Sequence, residues 1–210
     1  MQIRRTIALS AAAALGVAAL AACSSTPESA PTPEQSVATA PMMQGTPTDI
    51  AFAQSMIPHH QQAIEMAELA LAPQSGASEQ VQELAQQIKA AQDPEIQQMT
   101  QWLQAWGAPT AMPGATDGSG MAGMDHSGHD MGGIAMSGMM TAEQMQQLQQ
   151  ARGTDFDQMW LTMMIAHHEG AISMAQQAQA SNSSQVTTVT DAIITGQEEE
   201  ITTMQALLAQ

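Results

Sequence analysis

"SMIPHHQQAIEMA" occupies residues 55–67, and "TMMIAHHEGAISMA" occupies residues 162–175. Each places two adjacent histidines between methionines, in a stretch whose residues suit a helix. The likeness extends outward as an internal duplication. Phe52, Met56, Ile57, His59, His60, Ala63, Ile64, Met66 and Ala67 have counterparts at Trp160, Met164, Ile165, His167, His168, Ala171, Ile172, Met174 and Ala175. A second segment repeats as well. Val81, Ile88, Gln92, Glu95, Ile96, Met99 and Leu103 match Val186, Ile193, Gln197, Glu200, Ile201, Met204 and Leu208. Two helices repeated in order are two helical hairpins, and two hairpins sharing a core make a four-helix bundle. The chain has no Tyr, two Phe and no alternating β-branched run, so strands are not expected.

Each residue of a helix turns the direction by about 100°. With Met56 at zero, His59 points to about −60°, His60 to about +40° and Met66 to about −80°, one face about 120° wide. Met164, His167, His168 and Met174 share a face in the same way, with the small Ala63 and Ala171 inside the two arcs. The face that should bury itself therefore carries imidazoles and thioethers. A single methionine there is ordinarily core filler, and a single histidine is ordinarily satisfied by a carbonyl. Two identical pairs of imidazoles need many more partners, which points to metal binding.

The donor types select the metal. Di-iron bundles use Glu-x-x-His, whereas the equivalent spacing here is Met56-x-x-His59 and Met164-x-x-His167. Thioether in place of carboxylate favours copper, Cu(I) first, with Cu(II) as the alternative valence. Glu65, Glu95, Glu169 and Glu200 could assist, but solvated-face or capping roles are expected for most of them. The linker at 107–140 has the same bias, with seven methionines, two histidines and nine glycines. Within it Met121, Met124, His126, His129 and Met131 are candidate ligands on a flexible backbone. An ordinary low-complexity linker avoids methionine, which is apolar and oxidises.

The N-terminus assigns a compartment. Arg4 and Arg5 precede an apolar stretch from 7 to 20 that is too short for a membrane span, and "LAAC" ends at Cys23. Residues 1–22 are expected to be a lipoprotein signal peptide, with Cys23 lipid-modified after cleavage. An ordinary secretory signal is the alternative, and both take the protein out of the cytoplasm. With Cys23 so used, no thiol remains, and Met and His are the soft and borderline ligands that survive oxidising conditions. Residues 23–47 form a Pro/Ser/Thr/Ala tether. Loss of the signal leaves Lys89 and Arg152 against 20 acidic residues, a formal charge of −18. That charge excludes a nucleic-acid role.

The folded domain is expected over 48–210, with a first hairpin at 48–106, the linker at 107–140 and a second hairpin at 141–210. Thr48 is the expected cap of the first helix and Ser78 that of the second, where "DPE" at 93–95 predicts a kink or restart. "TAEQ" at 141–144 predicts a capping box opening a short helix. Thr154 opens the next helix, and Ser183 or Ser184 opens the last.

At these motifs the chain resembles the bacterial family called domain of unknown function 305. Its Met-x-x-His-His-x-x-Ala-x-x-Met-Ala pattern fits 56–67 and 164–175, and its Gln-x-x-Glu-Ile-x-x-Met segment fits 92–99 and 197–204. The stretch "GTDFDQMWLTMMIAHH" is similar too. The resemblance spans about 48–210 and implies a ferritin-like fold and periplasmic copper binding linked to copper tolerance. It implicates Met56, His59, His60, Met66, Met164, His167, His168 and Met174 as metal ligands. The variable linker is supported by its composition alone.

The expected function is that of a lipid-anchored, extracytoplasmic copper-binding protein that buffers, sequesters or hands on copper. Its partners would be copper ions, the membrane through Cys23, and a copper-exporting or copper-receiving envelope protein. No nucleophile–base pair or phosphate loop is visible, so an enzyme is not expected. Two other classes fit the same sequence: a ferritin-like metal-dependent redox enzyme, and an envelope adaptor whose histidines only hydrogen-bond in the core. Metal content after copper exposure, with an oxidation assay, separates the three.

Overall fold

A computed structural model describes residues 44–110, 137–181 and 183–210. Cys23, the tether and the linker candidates Met121, Met124, His126, His129 and Met131 lie outside the described residues. Among the described residues all regular structure is helical: α1 (Pro47–Leu71), α2 (Glu79–Ala105), α3 (Ala142–Gln150), α4 (Gly153–Gln179) and α5 (Ser184–Leu208), with a short 3-10 turn at Pro73–Ser75.

The cap of α1 corrects the expectation. Thr46, not Thr48, caps the helix: its hydroxyl accepts from Asp49 N at 3.2 Å, and Asp49 Oδ2 accepts from Thr46 N at 2.9 Å. Pro47 decides the register, because its fixed φ and missing N–H suit the first helical position. Ser78 and Thr141 cap α2 and α3 as the sequence predicts. The start of α4 lies one residue before Thr154, with Arg152 as its cap, and Ser183 precedes α5; neither contributes a side-chain capping bond. No restart occurs at "DPE", since α2 runs unbroken through Pro94. Pro94 and Ala90, whose carbonyl loses its donor, are both exposed, so water can replace the missing bond.

α1 and α2 pack as one hairpin, α4 and α5 as the other, and α1 against α4 joins them. Two buried apolar clusters run through all four long helices. One holds Phe52, Met56, Met99, Leu103, Met174 and Val186. The other holds Met66, Leu84, Ile88, Trp160, Met164 and Met204. In α1 the first cluster precedes His59 and the second follows His60. In α4 the order reverses around His167 and His168, so α1 and α4 are antiparallel and cross at their histidines.

Hydrogen bonds between elements fix this crossing. Trp160 Nε1 donates to Met66 O at 2.9 Å, tying α4 to α1 inside the second cluster. Asp157 accepts from Ser78 N at 3.2 Å, and Ser181 Oγ donates to Asp49 at 2.7 Å. Each such bond contributes about 1 kcal/mol, more where the acceptor is charged.

Candidate metal centre

Between the two apolar clusters every long helix carries polar residues. His59 and His60 come from α1, Gln92 and Glu95 from α2, His167 and His168 from α4, and Gln197 and Glu200 from α5. The four histidines are 0–1% exposed, and Gln92 and Gln197 are buried with them. Met56, Met66, Met164 and Met174 are also buried, Met56 and Met174 in one flanking cluster and Met66 and Met164 in the other. The eight bundle residues singled out in the sequence are thus all buried, the histidines at the crossing of α1 and α4 and the methionines in the apolar clusters on either side of it.

Adjacent residues on a helix point about 100° apart, so the members of a His pair cannot face one neighbour. The first members meet across the bundle: the rings of His59 and His167 lie 3.8 Å apart between centroids, tilted by 41°. The second members turn to their own hairpin partners. His60 Nε2 donates to Glu95 Oε2 at 2.7 Å, and His168 Nε2 donates to Glu200 Oε2 at 2.7 Å. Of the four glutamates for most of which a solvated-face or capping role is expected, Glu95 and Glu200 are half-buried histidine partners. Glu65 and Glu169 are exposed, as expected. The signal for Glu95 and Glu200 was their own recurrence in the duplicated α2 and α5 segments.

Residues 137–140 form a strap over the first histidines. His59 Nε2 donates to the Ser137 carbonyl at 3.0 Å. Gln62 holds Met140 at both backbone groups, donating to its carbonyl at 2.9 Å and accepting from its N–H at 2.6 Å. Gly138, at φ 78°, passes directly over Gly170, where any Cβ would strike the Ser137 carbonyl. Gly170 is the duplicate of Gln62. The pseudo-symmetry breaks there, admitting the strap on one side and gripping it on the other.

Burial above all, then the repulsion that protonation of both His59 and His60 would create, pushes His59 down to about 4, against the opposing Ser137 bond. His167 is held well below its usual value by burial first and then by the repulsion that two protonated rings would meet, with His59, His168 and His60 in turn. The nearby His59 carbonyl opposes that shift without reaching hydrogen-bond geometry. Both rings are therefore neutral at neutral pH, and their lone pairs are available.

Nδ1 of His59, His60 and His168 and both ring nitrogens of His167 are buried without a hydrogen-bond partner. Orphaned imidazole nitrogens among buried thioethers match the donor set of a soft cation. Among the described residues no three His, Cys, Asp or Glu side chains form a conventional metal cluster.

The fold and the motifs have relatives. A DUF305 protein fragment from Deinococcus radiodurans matches at 26% identity and TM-score 0.64, over 79% of this chain and 98% of that one. CopM in its Cu(II)-bound form matches at 32% identity and TM-score 0.58, over 80% of this chain and 98% of that one. Its Cu(I)-bound form matches at 28% identity and TM-score 0.57, over 76% of this chain and 94% of that one. No curated protein matches the chain. The family model named domain of unknown function (DUF305) matches residues 49–208, a span that contains both His pairs and both partner helices. The chain belongs to the DUF305 family.

Proposed function

We propose that this protein is an extracytoplasmic, lipid-anchored copper-binding protein that buffers, sequesters or hands on copper. One observation carries the reading: the facing His59 and His167, buried and neutral, leave ring nitrogens without partners between methionines of both hairpins. Copper binding by CopM, at 32% identity, supports the same chemistry here. His59, His167, Met56, Met66, Met164 and Met174 would serve Cu(I), since imidazole and thioether are borderline and soft donors. His60 and His168 would add further imidazole nitrogen, a borderline donor that Cu(I) and Cu(II) both accept. The linker candidates Met121, Met124, His126, His129 and Met131 would capture ions and deliver them to the bundle.

Binding is assigned in preference to catalysis, because a buried carrier site needs affinity and a route of exchange but no nucleophile. The signal-like segment before Cys23 supports the compartment proposed. The secreted designation of a Streptomyces coelicolor relative, 28% identical with TM-score 0.64, supports export. Among the described residues no helix is long and apolar enough to cross a membrane; the anchor proposed is lipid at Cys23. Copper retained after gel filtration by the mature protein, and lost from the folded His59→Ala, His60→Ala, His167→Ala, His168→Ala quadruple variant, tests the reading. Equal retention by both proteins would refute it.

A further inference from the structure

The duplication answers two histidines in the same manner. His60 and His168 each present Nε2 to a carboxylate oxygen at 2.7 Å, from Glu95 and Glu200 respectively. In both rings Nδ1 is buried and has no partner. An ionised carboxylate only accepts, so the ring must donate, and the proton sits on Nε2. A proton on Nδ1 alone would set the Nε2 lone pair against carboxylate lone pairs at hydrogen-bond distance. Protons on both nitrogens would leave a buried Nδ1–H with no acceptor. The arrangement that satisfies the geometry is a neutral ring with Nε2–H and a bare Nδ1.

His59 repeats the pattern with a different acceptor. Its Nε2 lies 3.0 Å from the Ser137 carbonyl, which also can only accept, and its Nδ1 is likewise buried without a partner. Three of the four rings are thus pinned at Nε2 and keep a lone pair at Nδ1.

We infer that Glu95 and Glu200 are positioning residues that fix the Nε2–H tautomer of His60 and His168, so that these rings take a soft cation through Nδ1. The inference rests on the copper reading above and deepens it by naming the ligating atoms. It also explains why each carboxylate repeats with its own histidine pair: each hairpin carries its orienting group on its second helix. A hydrogen-bonded carboxylate raises the basicity of the opposite ring nitrogen and holds the ring's orientation.

The test is nitrogen-15 NMR of the histidine rings in the full mature protein at pH 7.5, first without metal and then during Cu(I) addition. The expected apo spectrum shows His60 and His168 protonated at Nε2 and bare at Nδ1. Protonation at Nδ1, or at both nitrogens, overturns the inference. On Cu(I) addition the Nδ1 signals of these rings should move while the Nε2–H correlations persist; loss of the Nε2 proton to the metal overturns it. If copper moves no ring nitrogen, the coordination through Nδ1 falls together with the copper reading, and the apo tautomers still report separately on Glu95 and Glu200. Glu95→Gln and Glu200→Gln keep the shape, and each should mix the tautomers of its own histidine. Each should also weaken Cu(I) binding about 10- to 100-fold. A single unchanged tautomer in a folded Gln variant would show that the carboxylate does not set it.

Discussion

The His59 and His167 rings meet at 3.8 Å between centroids, each supplied by a different hairpin. Two imidazolium ions could not share that contact in a buried layer. The contact therefore links the neutral state of both rings to the docking of α1 on α4.

That linkage sets a pH dependence for the metal-free protein. His59 titrates near 4 when folded and near 6.5 when unfolded, so between those values the unfolded chain binds more protons. Stability from this residue is complete above about pH 6.5, falls as the pH drops toward 4, and is lost below it. The difference is about 3 kcal/mol, and His167 acts in the same direction. Urea unfolding at pH 7.5 and 4.5 should show the loss, and His59→Ala should flatten the profile. A parent profile already flat across that window would place the rings in contact with water.

His167 has both ring nitrogens buried and without a hydrogen-bond partner, which costs the fold stability. His167→Met is apolar and of comparable length, so the apo protein should gain about 1–2 kcal/mol. Copper retention by the bundle should fall at the same time. Urea midpoints combined with copper analysis check both halves. A loss of stability in His167→Met would make the imidazole a structural residue.

The strap depends on the absence of a side chain at position 170. Gly170→Ala should drive residues 137–138 off α4, break the Ser137 bond to His59 and cost about 1–3 kcal/mol. Hydrogen exchange at the Met140 amide, held by Gln62 Oε1, should accelerate. Exchange as slow as in the parent would show that the strap tolerates the methyl group.

The His pairs, the duplication and the helix order were legible because each is periodic in the chain. Met56, His59, Met66 and their duplicates fall on one helical face wherever that helix is placed. The division of labour inside each pair was not legible, because it depends on which neighbour lies 100° further round. The sequence makes His59 and His60 look equivalent; the bundle sends one to His167 and the other to Glu95. Glu95 and Glu200 carried their own recurrence as a clue, yet a carboxylate on a helix is more often solvated. Thr46 and Thr48 are equally good caps by type, and Pro47 between them, with Asp49 three residues after Thr46, held the decisive signal. The strap was hidden because Gln62 and Gly170 break the repeat, and a broken repeat ordinarily means nothing.

The linker and the bundle should be separable. Deleting residues 121–131 removes Met121, Met124, His126, His129 and Met131 and should reduce Cu(I) capacity while leaving the bundle's melting unchanged. Thioethers scarcely compete with protons, so the Cu(I) lost should be the fraction retained at mildly acid pH, whereas copper held by imidazole should be released as the rings take up protons. Competition titrations at pH 7.5 and 5 measure both. Undiminished Cu(I) capacity in the deletion variant would remove the linker from the site.

The central claim is that the crossing of α1 and α4 holds copper, and anomalous diffraction at the copper edge from crystals of the loaded protein tests it most directly. The expected result is a copper peak bonded to His59 or His167 ring nitrogens, with thioether sulfur from the flanking methionines in the same coordination sphere. Copper peaks confined to surface carboxylates, with the His59 and His167 rings still 3.8 Å apart, would contradict it.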